Sequence, residues 1–321
     1  MTSSAHSMSS LPASDPVAAA VRGFACPFEP LDRELQQAIV SEYARGYLGL
    51  FAGRHREALG PVAEALEKAS ETDIPFDTAW DISFGRVRRA SHPAPAESPQ
   101  AVAAAVMRRL GERPDRSVRP LAPDEAMLVE PFDESPPGCP WSGPQVLARC
   151  SDAVELLRVH SPRYGAWVEN VIRYVLPRDG SDGMMRSASS MDWPGVISAS
   201  FPCGPAALAE VLVHEASHQH LNIVRRLGPI ANGDDHSLYH SPLKGVPRPI
   251  QAILVGFHAI ANMCLFYRDC VDSSIDDGGY CEANLRRHRE DALRMSAHLQ
   301  TSTGLTEIGR AIADSASKHL L

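Results

Sequence analysis

The stretch PAALAEVLVHEASHQHLNIVRRL, residues 205–227, constrains the chain most. It opens on Pro205, a residue suited to the first position of a helix, and stops at Gly228-Pro229, a pair that cannot continue one. Within it lies His214-Glu215-Ala216-Ser217-His218, an HExxH sequence. Residues four apart share one face of a helix, so both imidazoles can converge on a single divalent ion, with Glu215 near the edge of that face. Six of the chain's thirteen histidines (His214, His218, His220, His236, His240, His258) fall within 45 residues. His220, about 200° round the helix from His218, faces away from the pair.

Around this helix the composition is ordinary. The chain has 321 residues, 44% hydrophobic and 22% charged, enough for a large core in one large or two small domains. A net charge of -8 and the lack of a Lys/Arg cluster exclude nucleic acid as the expected partner. Seven cysteines without a CxxC indicate reduced thiols rather than a disulfide framework or a thiolate zinc site. No signal peptide is read in the first residues, and the longest apolar run, 252–266, falls short of the ~20 residues a bilayer requires. The expectation is a soluble, cytoplasmic protein without a membrane partner.

Helical periodicity dominates the rest, so the expected fold class is mainly α with a small β element (α+β), a helical bundle around the HExxH helix. Residues 1–28, rich in Ser, Ala and Pro, read as a flexible tail. Residues 29–177 read as a mainly helical N-terminal region suited to substrate recognition. It holds two helices over 31–70 broken at Gly60-Pro61, one near 98–112, an irregular proline-rich segment with a weak strand at 126–132, and helices over 144–160 and 161–176. Residues 178–321 form the expected catalytic region. There MMRSASSMDWPGVISASF predicts two short strands around a turn at 192–195, directly before the HExxH helix. A second helix is expected over 249–269 and polar amphipathic helices from residue 283.

Two histidines leave a third metal ligand to be found. The HxxGxxH continuation of one metalloprotease class is absent, since Leu221 and Val224 stand where Gly and His are needed. Glu282 is the one glutamate with suitable spacing for a peptidase-like third ligand. His258, at the margin of the second helix's apolar stripe, is the better candidate, because an interior imidazole needs a partner. A metal supplies one; a backbone carbonyl supplies the other. His236 and His240, on the loop between the helices, are the reserves. Arg248, in VPRPIQA, stands at the start of the second helix, where free N–H groups already favour an anion, and makes a carboxylate-binding corner unless it pairs with Asp234 or Asp235. Tyr239 either adds a hydroxyl to that anion or packs the loop down.

The series LAEVLVHEASHQHLNIV, YHSP and RPIQAILVGFHAIANM resembles the HExxH-domain family found beside ribosomally synthesised peptide natural products. It spans about residues 180–270; the N-terminal 180 residues resemble nothing nameable. The resemblance implies an iron(II)- and 2-oxoglutarate-dependent hydroxylase that uses O2 and modifies a side chain of a precursor peptide. It further implies that His214, His218 and His258 hold Fe(2+) and that Arg248 holds the distal carboxylate of 2-oxoglutarate. Three histidines leave three positions of an octahedral ion open for the keto acid and dioxygen, with Glu215 orienting a ligand or water. With Zn(2+) instead, Glu215 becomes the general base of a metallopeptidase. A non-catalytic peptide-binding protein with a structural metal is the third reading, and it requires a coordinatively closed site.

Overall fold

In the computed structural model, the described residues are 19–71, 74, 98–111, 119–120, 143–178, 185–191, 195–200, 204–275 and 278–320. The weak strand at 126–132, the first eighteen residues and the turn at 192–194 lie outside them. Mainly helical architecture with a small β element is what the structure shows.

The N-terminal half holds α1 (Arg22–Ala25), α2 (Arg33–Arg54), α3 (Arg56–Leu59), α4 (Pro61–Ser70), α5 (Pro99–Gly111), the two-residue strand β1 (Arg119–Pro120), α6 (Gly143–His160) and α7 (Pro162–Val171). Then come β2 (Tyr174–Arg178), β3 (Ser187–Ser189), β4 (Val196–Ser200), α8 (Pro205–Val224), β5 (Leu238–Ser241), β6 (Val246–Pro249), α9 (Ile250–Asp272), α10 (Tyr280–Thr301) and α11 (Glu307–Leu320). Asp32 caps α2 by accepting from the Leu35 N–H, and Pro61, Pro162 and Pro205 each open a helix where a missing N–H costs nothing. The break at Gly60 is real, but a further short turn, α3, precedes it.

The first sheet has the order β1-β2-β4-β3, with β1, β2 and β4 parallel and β3 antiparallel to β4 along an outer edge. The expected strand pair before the HExxH helix is therefore present as β3 and β4. Segment 172–176, expected to continue a helix, instead leaves it: the N–H groups of Arg173 and Tyr174 both donate to the Gly195 carbonyl, and β2 then pairs along β4. A β-branched and aromatic run of Val171, Ile172, Tyr174 and Val175 gains more from a ladder than from another helical turn. Gln219 ties this sheet to α8, its side-chain oxygen accepting from the Gly195 N–H at 3.1 Å.

The core draws on helices of both halves, α2, α6 and α7 as well as α8, α9, α10 and α11, and α9 is its central rod. At 23 residues α9 is longer than the apolar run suggested, and long and apolar enough to cross a bilayer, but most of it is buried inside the protein. One correction concerns the expected tail. Val21 and residues 23–26 are buried, because three core side chains take the carbonyls of α1: Trp167 Nε1 donates to Gly23 at 3.4 Å, His258 Nε2 to Phe24 at 3.0 Å and Asn262 Nδ2 to Ala25 at 2.8 Å. Phe24 then fills the core outright.

Candidate metal centre

His214 and His218 lie in the middle of α8, both half-buried, and their rings meet edge to face. Their Nε2 atoms are 3.1 Å apart. Two imidazole nitrogens bound at about 2.1 Å to adjacent positions of an octahedral ion stand about 3.0 Å apart, so the pair already has the spacing of one edge of a coordination polyhedron. Protonation agrees with this. His214 Nδ1 lies 3.2 Å from the Met263 thioether, a weak acceptor suited to the tautomer that leaves the Nε2 lone pair for a metal. Burial first, then the neighbouring histidines, hold His218 well below the ordinary imidazole range, so it is neutral as a ligand must be.

Glu215 behaves as a residue missing a partner. Its side chain is nearly fully buried, Oε1 stands 4.0 Å from His214 Nε2, and Oε2 has no hydrogen-bond partner among the described residues. A buried carboxylate without a cation is costly, and a divalent ion beside the pair relieves that cost.

The pair opens into a cleft of ≈ 700 Å³ whose walls come from α8, the apolar face of α9, the β5–β6 hairpin, α10 and the β3 edge. Arg248 lines it, as does Lys244 from the hairpin tip, and neither side chain has a hydrogen bond or ion pair among the described residues. Arg248 is paired in register with Tyr239 across the hairpin, directly before α9. Asp235, a rival partner for Arg248, is already engaged by the Tyr239 and Ser302 hydroxyls and the Ser237 N–H, which hold its carboxyl far below the usual range.

The structure does not bring His258 to the pair. Positions 252, 255, 256, 259, 260 and 263 of α9 face the cleft, and at about 100° per residue His258 points some 130° away from that stripe. It is a fully buried core histidine bonded to a backbone carbonyl, with Trp167 nearby. The reserves fare no better: His236 and His240 are exposed, and Glu282 is an exposed residue 3.9 Å from Arg286. Among the described residues no group of three His, Cys, Asp or Glu side chains is placed to hold a metal ion, so the metal fit extends to two protein ligands. Tyr239 is a second correction, because its hydroxyl donates to Asp235 at 2.5 Å and its ring packs on His298 rather than facing the cleft. His220 faces away as expected, stacked on Trp167 at 4.0 Å and donating to the Trp167 carbonyl.

Sequence reasoning missed Glu210, Lys244 and His288, all of which line the cleft. Signals for two of them existed. Glu210 continues the 214/218 stripe one turn earlier, and His288 falls on the inward-facing stripe Cys281, Leu285, His288, Ala292, Met295 and Leu299 of a helix whose other positions are mostly polar. In comparisons with known proteins, no family model matches the chain and no curated protein matches it.

Proposed function

We propose that the protein is an iron(II)- and 2-oxoglutarate-dependent hydroxylase, working in the cytoplasm on a side chain of a ribosomally made precursor peptide. The observation that carries this reading is that the His214/His218 pair and the cations Lys244 and Arg248 share one cleft. Iron bound to the pair supplies oxidative chemistry that no side chain of the cleft possesses. The chain's own residues do the rest. His214 and His218 present their Nε2 atoms, Met263 orients the first ring, and the Arg248 guanidinium with the Lys244 ammonium takes the distal carboxylate of 2-oxoglutarate. The apolar wall of Val255, Ala259 and Ile260 excludes water from the reacting end. An extended peptide suits the opposite wall, since the edge strand β3 contributes Ser187 to the cleft.

One observation favours a second reading. The unpartnered carboxylate of Glu215 beside the pair is where a zinc peptidase keeps the base that takes a proton from a metal-bound water. Anaerobic addition of iron(II) and then 2-oxoglutarate separates the two. The hydroxylase reading expects a weak visible charge-transfer band and succinate release on admission of O2. Neither signal, with one equivalent of zinc retained after purification, overturns it. Arg248→Ala is expected to raise the apparent KM for 2-oxoglutarate by about 10- to 100-fold with metal content unchanged; loss of iron instead removes Arg248 from the cosubstrate role.

A further inference from the structure

The charged groups of the cleft are segregated. Lys244 and Arg248 come from the hairpin, whereas Glu210, the one carboxylate in the lining among the described residues, lies on α8 one turn before His214. Its Oε2 accepts a short hydrogen bond from the Tyr280 hydroxyl, and no Lys or Arg pairs with it among the described residues. The other neighbours are neutral as well. Burial, and secondarily the charge of Glu210 itself, hold the Tyr267 phenol in its protonated form, and burial holds His288 below the ordinary imidazole range. His288 in addition keeps a buried Nδ1 without a partner in the same wall. A half-buried carboxylate whose neighbours are the neutral Tyr280 and Tyr267 phenols retains lone pairs that a charged N–H donor satisfies best.

We propose that Glu210 is the specificity residue of the cleft, selecting a peptide whose target side chain is lysine or arginine. This rests on the peptide-hydroxylase reading and names its substrate class. Glu210, His214 and His218 form one stripe along α8, with successive members about 6 Å apart. A basic side chain that places its ammonium or guanidinium on Glu210 therefore presents its methylene carbons to the histidine pair one turn on. The cationic hairpin repels the same side chain and holds the cosubstrate's carboxylate, so the two ligands are sorted by charge before any chemistry.

The test uses the metal-free full chain and four blocked tripeptides, acetyl-Gly-X-Gly-amide with X as Arg, Lys, Leu or Glu, titrated calorimetrically. The Arg and Lys peptides are expected to bind about tenfold or more tightly than the Leu peptide. Glu210→Gln, which keeps an acceptor for Tyr280, is expected to abolish that preference while leaving Leu-peptide binding and the thermal midpoint unchanged. Glu210→Asp should restore part of it. Equal binding of the Arg and Leu peptides, a preference that survives in Glu210→Gln, or no measurable binding by any of the four overturns the proposal. Because no metal is present, a chain that fails to release succinate but still prefers basic peptides rejects only the hydroxylase reading. Succinate release without the preference rejects only the role of Glu210.

Discussion

His218 and His220 are two residues apart on α8, yet one opens into a cleft and the other is sealed in the core. His218 meets His214 nitrogen to nitrogen, with a wall of mixed charge in front of it. His220 and its neighbour across the interior, His258, each donate one N–H to a backbone carbonyl and pack near Trp167. The inner histidines act as hydrogen-bonding core residues that anchor α1 and α7 to α8 and α9. The outer ones have no such employment. Identical side chains on one helix thus divide by facing alone, and an imidazole in a metal-like run of sequence is a ligand candidate only when its free nitrogen reaches the open side.

The sharpest way to break this comparison is to remove one member of each class. His214→Ala or His218→Ala should lower the affinity for cobalt(II) or iron(II) by 100-fold or more, on the order of 3 kcal/mol, while leaving the metal-free fold intact. Visible cobalt(II) spectra check this. His258→Ala should do the reverse, costing about 2–4 kcal/mol of stability through a cavity and an unpaired Phe24 carbonyl, with metal affinity retained in the fraction that folds. Urea unfolding reads the first effect and calorimetry the second. Should His258→Ala lose metal in a folded chain, the two classes collapse into one.

A smaller effect lies in the acid limb of stability. Burial pushes the His258 imidazole down to about 4, whereas an unfolded chain titrates it near 6.5. Because the folded state resists the proton, His258 contributes stability that is complete above the unfolded value and is lost as pH falls from there through about 4, on the order of 3 kcal/mol. His258→Gln, which keeps an N–H for Phe24 but does not titrate, should flatten that limb in urea midpoints measured from pH 7 to pH 4. Smallest of all is Tyr239→Phe. It removes one hydroxyl bond to Asp235, should cost under about 1 kcal/mol, and should leave 2-oxoglutarate binding unchanged. A clear rise in the apparent KM would return Tyr239 to the cleft.

Local signals account for most of what was legible. Pro205 and Gly228-Pro229 set the ends of α8 to within a few residues, and the alternation after Met184 announced β3 and β4. Segment 172–176 was misread because its helical periodicity continues that of α7, and only the neighbouring β4, brought close by Gln219 and Gly195, offered it a better set of hydrogen bonds. Arg248's position at the head of α9 was legible because a helix start and its flanking prolines are local facts. Glu210 and His288 escaped because the cleft they share is assembled from α8 and α10, far apart in sequence.

The sequence by itself determined that one helix carries two imidazoles on a common face with a carboxylate at its edge, since the 3.6-residue repeat needs no other part of the molecule. Tertiary structure alone decided which other residues join them. The rotation of α9 about its axis turned His258 to the carbonyl of Phe24 and a row of small and apolar residues to the cleft. Periodicity marks an interior face, but an interior has two sides here, one against α1 and one against the cleft. Only packing chooses between them.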